Sequence, residues 1–224
     1  MQAWVRAIAL VAISTAAAQV RSDEAVAAPA FKVGDTWAFS RNYVSDRTRS
    51  FTFRNEVKSV DGDVAVVHAT SSTNNSSIHV YENSRARWLK RFKLDEAAAD
   101  KRGELTYDGS NDESTLPFPL AVGKQGKHKL SWISGSNERG YDEGVAKVVR
   151  QEKVKTPAGE FDTFVVETEG SWKNETRGTR DQFKLIQWYA PAAKRNVKTD
   201  YMNYHQGQQS VRYIEELTSM SLAP

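Results

Sequence analysis

Cysteine is absent from the 224 residues of the chain. Its absence excludes disulfides, thiolate metal sites, cysteine nucleophiles and a lipid anchor carried by an N-terminal cysteine. Small secreted domains often depend on disulfides, but a chain of this length can bury enough apolar surface to fold without them. For an exported protein, the lack of cysteine therefore favours a bacterial periplasm over a eukaryotic secretory route.

A strong net charge is also missing. The chain has 31 Lys and Arg residues and 28 Asp and Glu residues, which gives a net charge of +3. A nucleic-acid-binding protein normally carries a clustered basic surplus. We therefore predict no nucleic-acid partner.

Beyond the first 20 residues, no apolar run approaches the ~20 residues that span a bilayer, so the sequence predicts a protein that is not membrane-spanning.

Recognisable catalytic motifs are absent. The chain has no Gly-x-Ser-x-Gly elbow, no glycine-rich phosphate loop and no His-Glu-x-x-His. The four histidines are His68, His79, His128 and His205. None has the i, i+2 or i, i+4 neighbour of a metal site. We therefore predict no catalytic residues, no metal and no cofactor.

Two acidic pairs keep one enzymatic alternative open. Asp142 precedes Glu143, and Glu167 shares a strand face with Glu169. A glycosidase needs two carboxylates that flank a cleft, which sequence alone does not establish. A hydrolase is therefore the least favoured hypothesis.

The N-terminus has the pattern of an export signal. Arg6 precedes an apolar run over residues 7–13, and small residues over 16–18 form an A-x-A cleavage site. A second such site lies at residues 25–27. We predict a signal peptide over residues 1–18, cleaved as late as 27, and hence a periplasmic or secreted bacterial protein. The alternative is a buried N-terminal helix.

Most of the remaining sequence alternates between apolar and polar residues. Phe51, Phe53 and Val57 share one parity, whereas Arg54 and Glu56 share the other, as in a strand with one buried face. Glycine and proline turns separate these segments and indicate hairpins. Predicted strands or hairpins cover residues 36–43, 51–67, 78–81, 86–94, 128–133, 145–166, 183–189, 196–204 and 211–217. One short helix is predicted over 94–102.

The fold class that follows is all-β, as a curved antiparallel sheet or an open, half-closed β-barrel with one short helix. We predict a single β domain over residues 31–218. Val33-Gly34 recurs at Val122-Gly123, which suggests two diverged meander repeats over 31–103 and 117–218. Chance similarity between strand-rich segments is the alternative.

A group of motifs in the second half gives a resemblance. Residues 156–163 are TPAGEFDT, residues 188–191 are WYAP and residues 194–198 are KRNVK. Over about residues 122–217, the chain resembles uncharacterised periplasmic proteins of bacteria with a TPAG-F-x-T hairpin and a WY-x-P strand end. The resemblance implies a fold like that of periplasmic lipoprotein and lipid carriers, an open barrel around an apolar cavity. It implies no catalytic residues.

Aromatic residues are concentrated in the second half. The candidates for ligand binding are Trp132, Trp172, Trp188, Tyr189, Tyr201 and Tyr204. On the concave side of a curved sheet, such side chains would line a pocket for an acyl chain, a hydrophobic peptide or a sugar ring. An ordinary aromatic core is the alternative.

A second candidate is a basic band on the segment 85–93. Strand alternation would place Arg85, Arg87, Arg91 and Lys93 on one face, with Trp88 on the other. Such a band would attract lipid headgroups, anionic glycans or an acidic partner. The alternative is an edge strand whose cations discourage pairing with other chains.

Three functional hypotheses follow from these features. The leading one is a non-catalytic periplasmic binding or carrier protein for an apolar ligand, which would be a lipid, a lipoprotein segment or a glycan. The second is a structural or interaction module of a cell-envelope assembly that joins an envelope protein through strand edges or the basic band. The third is a hydrolase of an envelope polymer.

Overall fold

The computed structural model describes residues 25–73, 76–94, 102–109, 112–113, 115–133 and 137–224. The predicted signal peptide over 1–18 lies outside these residues, as does most of the predicted helix over 94–102. The two ends of that helix prediction, Leu94 and Arg102, belong to strands. Helical structure in the described residues consists of 3₁₀ turns at Arg47–Arg49, Asn83–Arg85 and Pro191–Ala193.

Twelve strands make up the described fold. They are β1 (Thr36–Tyr43), β2 (Phe51–Asp61), β3 (Val64–Ser71), β4 (Ser77–Glu82), β5 (Arg87–Leu94), β6 (Arg102–Asp108), β7 (Gln125–Ile133), β8 (Arg139–Thr156), β9 (Gly159–Asn174), β10 (Thr179–Ala190), β11 (Arg195–His205) and β12 (Gln208–Ser221). The alternating segments of the sequence predicted all of them except β6.

All twelve strands form one antiparallel sheet. Its order is β6-β5-β4-β3-β2-β1-β12-β11-β10-β9-β8-β7, so two six-stranded meanders join where β1 pairs with β12. The sheet curls into a nearly closed barrel with a single seam between its two end strands, β6 and β7. The all-β, half-closed barrel expected from the sequence is confirmed.

The two meanders begin alike. Gly34, before β1, donates its N–H to the carbonyl of Val57, and Gly123, before β7, donates to the carbonyl of Val148. Both glycines have positive φ, at 92° and 88°, which residues with a Cβ rarely adopt. The first meander ends at Asp108, beyond residue 103. The duplication of 31–103 and 117–218 stays a prediction.

One end of the barrel is filled by side chains. In an antiparallel meander, the starts of the odd strands and the ends of the even strands lie at the same end. Most of the buried apolar residues come from that end: Trp37, Val57, Tyr81, Ala190, Val197 and Leu217. The segments before β1 and β7 add Phe31 and Leu120 to the buried interior. The opposite end of the barrel carries no comparable cluster among the described residues.

Asp35 fixes the chain at this packed end. Its side chain is fully buried. One carboxylate oxygen accepts from the backbone N–H of Lys32 and from the Lys194 ammonium at 2.8 Å, and the other accepts from the backbone N–H of Ala223. A buried carboxylate is tolerable only when it is paired in this way. Asp35 thereby ties β1, the turn before β11 and the chain after β12 to one another.

The seam is bridged by Asp112. Its carboxylate is 5% exposed and accepts hydrogen bonds from the Tyr107 hydroxyl on β6 at 2.7 Å and from the Ser131 hydroxyl on β7 at 2.8 Å. The Ser131 backbone N–H also donates to it. Arg87 on β5 donates to the Asp112 carbonyl. One residue therefore holds both end strands of the sheet.

Replacement of Asp112 tests this bridge. Asp112→Ala would leave the buried Tyr107 hydroxyl and the Ser131 N–H without acceptors, and we expect a loss of about 2 to 4 kcal/mol in the free energy of unfolding. Denaturant titration measures the loss, and hydrogen exchange should show faster exchange in β6 and β7. The matched control is Glu104→Ala, which removes an exposed ion pair with Lys93 on the same edge. We expect the control to cost less than about 1 kcal/mol. Equal losses in the two variants would contradict the bridge.

Candidate functional site

A cavity of about 430 Å³ lies inside the barrel. It reaches from the core at the packed end towards the loops at the open end, where Ser71, Thr73 and Ser77 line it. Aromatic side chains form much of its wall: Phe39, Phe51, Phe53, Trp88, Tyr107 and Tyr189. An aromatic-lined space of this size, which is partly open to solvent, matches the usual dimensions of a small-ligand site.

A β-bulge in β5 places an aromatic ring and a cation on the same wall. In the ladder between β4 and β5, Tyr81 faces Trp88 and Val80 faces Lys90, so Leu89 is the extra residue. A bulge of this kind reverses the strand alternation beyond it. Trp88 and Arg91 therefore both line the cavity, although their sequence positions have opposite parity.

The predicted basic band does not form one surface. Arg85 is exposed in a 3₁₀ turn and pairs with Glu82. Arg87 also pairs with Glu82 and reaches the Asp112 carbonyl. Arg91 points into the cavity, whereas Lys93 is exposed and pairs with Glu104. The bulge and these separate partners divide the four cations among different environments.

The six aromatic residues predicted as ligand contacts also lie in different surroundings and do not line one pocket. Tyr189 lines the cavity, and Tyr201 stacks between Phe183 and Tyr213, with ring centroids at 6.2 and 5.1 Å. Tyr204 lines a second, more open depression of about 1030 Å³, with Phe183. Two of the tryptophans are anchored by their indole N–H groups, Trp132 on the carboxylate of Asp142 and Trp172 on the carbonyl of Tyr204.

Trp188 is absent from the cavity wall of the described residues. Its indole donates to Glu152 at 2.6 Å, and the Lys198 ammonium lies 5.7 Å from its ring. The neighbours of Trp188 on β10, Gln187 and Tyr189, line the cavity instead. Strand alternation therefore turns Trp188 to the opposite face of the sheet.

Arg41 and Glu215 form an ion pair on the cavity wall. Their charged atoms are 2.7 Å apart, and the guanidinium lies 4.4 Å from the centroid of the Tyr213 ring. Each of these partly buried charges is thereby neutralised by the other. Arg41 has the same parity as Trp37 and Phe39 on β1, so its inward position could have been predicted from the sequence.

Two other guanidinium groups on the wall have no carboxylate partner in the described part of the chain. Arg91 donates to the Thr106 hydroxyl at 3.1 Å, and burial lowers its pKa. Arg195 donates to the Tyr81 hydroxyl at 3.3 Å and lies 5.0 Å from the Trp37 ring. Both side chains are partly buried. The positive charge of the cavity is therefore incompletely neutralised.

Besides the half-buried Asn196, three buried polar side chains on the wall have atoms without a hydrogen-bond partner among the described residues. These atoms are Oδ1 of Asn55, Oε1 of Gln187 and Nδ1 of His79. Burial, with the charges of Arg91 and Arg195, lowers the pKa of His79 to about 3, so its imidazole is neutral. Because unsatisfied buried polar groups are rare in native proteins, these atoms indicate a space that a polar molecule enters.

The acidic pairs of the sequence do not converge on the cavity. Asp142 is buried, whereas its neighbour Glu143 is half-exposed and 3.5 Å from Arg180. Glu167 and Glu169 both pair with Lys184.

In the described parts of the chain, no group of three or more His, Asp and Glu residues could hold a metal ion. No helix among the same residues has the length and apolarity to cross a membrane.

Two solved structures share the fold. One is a proposed exported protein of Bacteroides fragilis with a YmcC-like fold, which aligns with a TM-score of 0.54 and 17% identity over 88% of this chain and 99% of its own. The other is a proposed lipoprotein of Parabacteroides distasonis, with a TM-score of 0.51 and 12% identity over 89% and 100%. No protein-family model and no curated protein sequence matches the chain. At this identity, the likeness concerns the fold alone.

Asp142 gives the interior a pH-dependent stability. It shares the inward face of β8 with Ala146 and Val148, and burial raises its pKa to about 6, against the smaller effect of the Trp132 hydrogen bond. The unfolded carboxyl ionises near 3.8. Because the folded protein disfavours the charged form, stability falls as pH rises from about 4 to 6 and stays reduced above this range.

Asp142→Asn should therefore stabilise the protein by about 3 kcal/mol at pH 8, because two pKa units correspond to that free energy. At pH 3.5 the same substitution should change stability little, since the folded carboxyl is then neutral and the unfolded one mostly neutral. Urea unfolding at the two pH values measures the difference. A variant that is equally stable or less stable than the wild type at pH 8 would show that the carboxylate is better solvated or better paired than this geometry implies.

Proposed function

We propose that the protein is a non-catalytic binding or carrier protein of the bacterial envelope that holds an apolar ligand inside its barrel. The observation that supports it is the aromatic-walled cavity between the packed end and the open end. Of the aromatic residues predicted from the sequence, Tyr189 lines this cavity and is the proposed ligand contact, whereas Tyr201 packs behind the wall against Tyr213. The class of ligand remains that of the sequence hypothesis, a lipid, a lipoprotein segment or a glycan.

A periplasmic or secreted location belongs to the same proposal. The predicted signal peptide supports it, and so does the shared fold, because one similar structure is a proposed exported protein and the other a proposed lipoprotein. A binding protein with a cavity inside its barrel would let an apolar molecule cross the aqueous periplasm, since the barrel wall would remove much of its surface from water.

The two other hypotheses have less support. An interaction module would present an exposed apolar patch, whereas the described exposed apolar residues, such as Val33, Val64 and Val145, are dispersed over different elements. A hydrolase would bring acidic groups together in a cleft. The carboxylate of Glu215, which does face the cavity, is neutralised by Arg41.

A cavity-filling substitution tests ligand binding. Ala69 lines the cavity, and the next residue, Thr70, is exposed on the other face of β3. We expect the wild type, purified from its native periplasm, to carry a reproducible mass adduct in native mass spectrometry. Ala69→Phe should lose most of the adduct because the added ring occupies the cavity. Thr70→Phe adds the same ring outside and should retain it.

Circular dichroism and thermal unfolding establish that both variants are folded. A wild-type protein that always shows its bare mass, or an adduct that survives in Ala69→Phe as fully as in Thr70→Phe, would contradict a ligand inside the barrel.

A further inference from the structure

We propose that the ligand carries an oxyanion, a carboxylate or a phosphate ester, which binds inside the barrel between Arg91 and Arg195. This inference rests on the proposed function and specifies the chemistry of the ligand. Four side chains form a continuous series across the cavity: Arg91, His79 and Tyr81 on β5 and β4, and Arg195 on β11.

Strand register brings this series together. Arg91 on β5 lies directly opposite His79 on β4, and Tyr81 follows on the same face of β4. The Tyr81 hydroxyl in turn accepts from Arg195 on β11. Since β4 and β11 are far apart in the strand order, this last contact crosses the interior. The two guanidinium groups therefore flank one region of the cavity.

The charges in the cavity do not balance. The charged residues that line it are Arg41, Arg91, Lys194, Arg195, Glu113 and Glu215. Arg41 pairs with Glu215, Lys194 pairs with the fully buried Asp35, and Glu113 is exposed. Removing a cation from water is costly unless an anion compensates it. A bound oxyanion would supply that compensation, and guanidinium groups bind carboxylates and phosphates with matched geometry.

Two neutral amide side chains line the same cavity as the arginines. The side chains of Asn55 and Gln187 are only 3% and 6% exposed, line the cavity and keep an amide oxygen without a partner. The oxygen and nitrogen of an amide can exchange places by rotation of the side chain. Either orientation would serve a ligand, because the NH₂ group can donate to the oxyanion and the oxygen can accept from a hydroxyl or amide of the ligand.

The aromatic wall indicates what the oxyanion is attached to. Phe39 and Phe53 stack with ring centroids 5.2 Å apart, and Phe51 lies 6.0 Å from Phe53. These rings line the same cavity as the two arginines. A free inorganic anion would gain nothing from them, whereas an amphiphile would bury its apolar part there. The geometry therefore favours an anionic amphiphile over a small free anion.

Binding of matched probes tests the inference. The full-length mature protein is freed of ligand by denaturing extraction and refolded, and calorimetry then measures its affinity for dodecanoate, dodecyl phosphate, dodecanol and inorganic phosphate. We expect at least one of the two anionic amphiphiles to bind at least about tenfold more tightly than dodecanol. Inorganic phosphate should bind more weakly than either amphiphile. Equal or tighter binding of phosphate alone would overturn the amphiphile in favour of a free anion.

Two variants locate the oxyanion. Arg91→Met keeps an unbranched side chain on the wall, and we expect it to lower the affinity for the anionic amphiphile at least about tenfold while the affinity for dodecanol changes little. Lys90→Met removes a cation from the adjacent residue, which faces away from the cavity, and should leave both affinities unchanged. An equal effect of the two variants would overturn the site at Arg91, because it would show that only the net charge matters.

The failure of this inference is distinguishable from that of the proposed function. If dodecanol binds as tightly as the anionic probes and is excluded by Ala69→Phe, the barrel binds an apolar ligand and the oxyanion site is wrong. If the refolded protein binds none of the probes and the native protein carries no adduct, both the carrier function and the oxyanion site are wrong.

Discussion

The closure of the sheet at its seam is the constraint on which the interior of the protein depends. A curled sheet with two open edges would expose unpaired backbone groups and admit water between its walls. Here the ends of the strand order meet at β6 and β7, and Asp112 accepts hydrogen bonds from Tyr107 on one and Ser131 on the other. Because these edges are held together, the concave face lines a cavity inside the barrel.

The enclosed interior has two regions with different physical roles. At the packed end, apolar side chains and the fully paired Asp35 provide stability. Around the cavity, guanidinium groups that have no carboxylate partner among the described residues, and buried amides, remain on the wall at a cost in stability, because apolar residues of similar size would fill the space more favourably. Sequences that violate the rules of a good core usually do so at functional sites. The cavity wall, with Arg91, Arg195 and Gln187, is such a violation.

Strand alternation and turn chemistry predicted most of this fold, because a strand with one buried face places an apolar side chain at every second residue. β6 escaped prediction since it is a largely exposed end strand whose Leu105 is 39% exposed. Alternation could not place Arg91 and Trp88 on one wall, because the bulge at Leu89 has no sequence signature. Alternation also could not choose between the faces of β10, because apolar residues occupy both. Trp188 and Tyr189 were therefore both predicted as ligand contacts, but only Tyr189 lines the cavity.

The central claim, that the barrel holds an anionic amphiphile, is tested most directly by a crystal structure of the protein purified from its own periplasm without delipidation. We expect elongated electron density along Phe39, Phe51 and Phe53, with a branched end within hydrogen-bonding distance of Arg91 or Arg195. A cavity that contains only water, or one in which side chains have closed over Arg91 and Arg195, would contradict it.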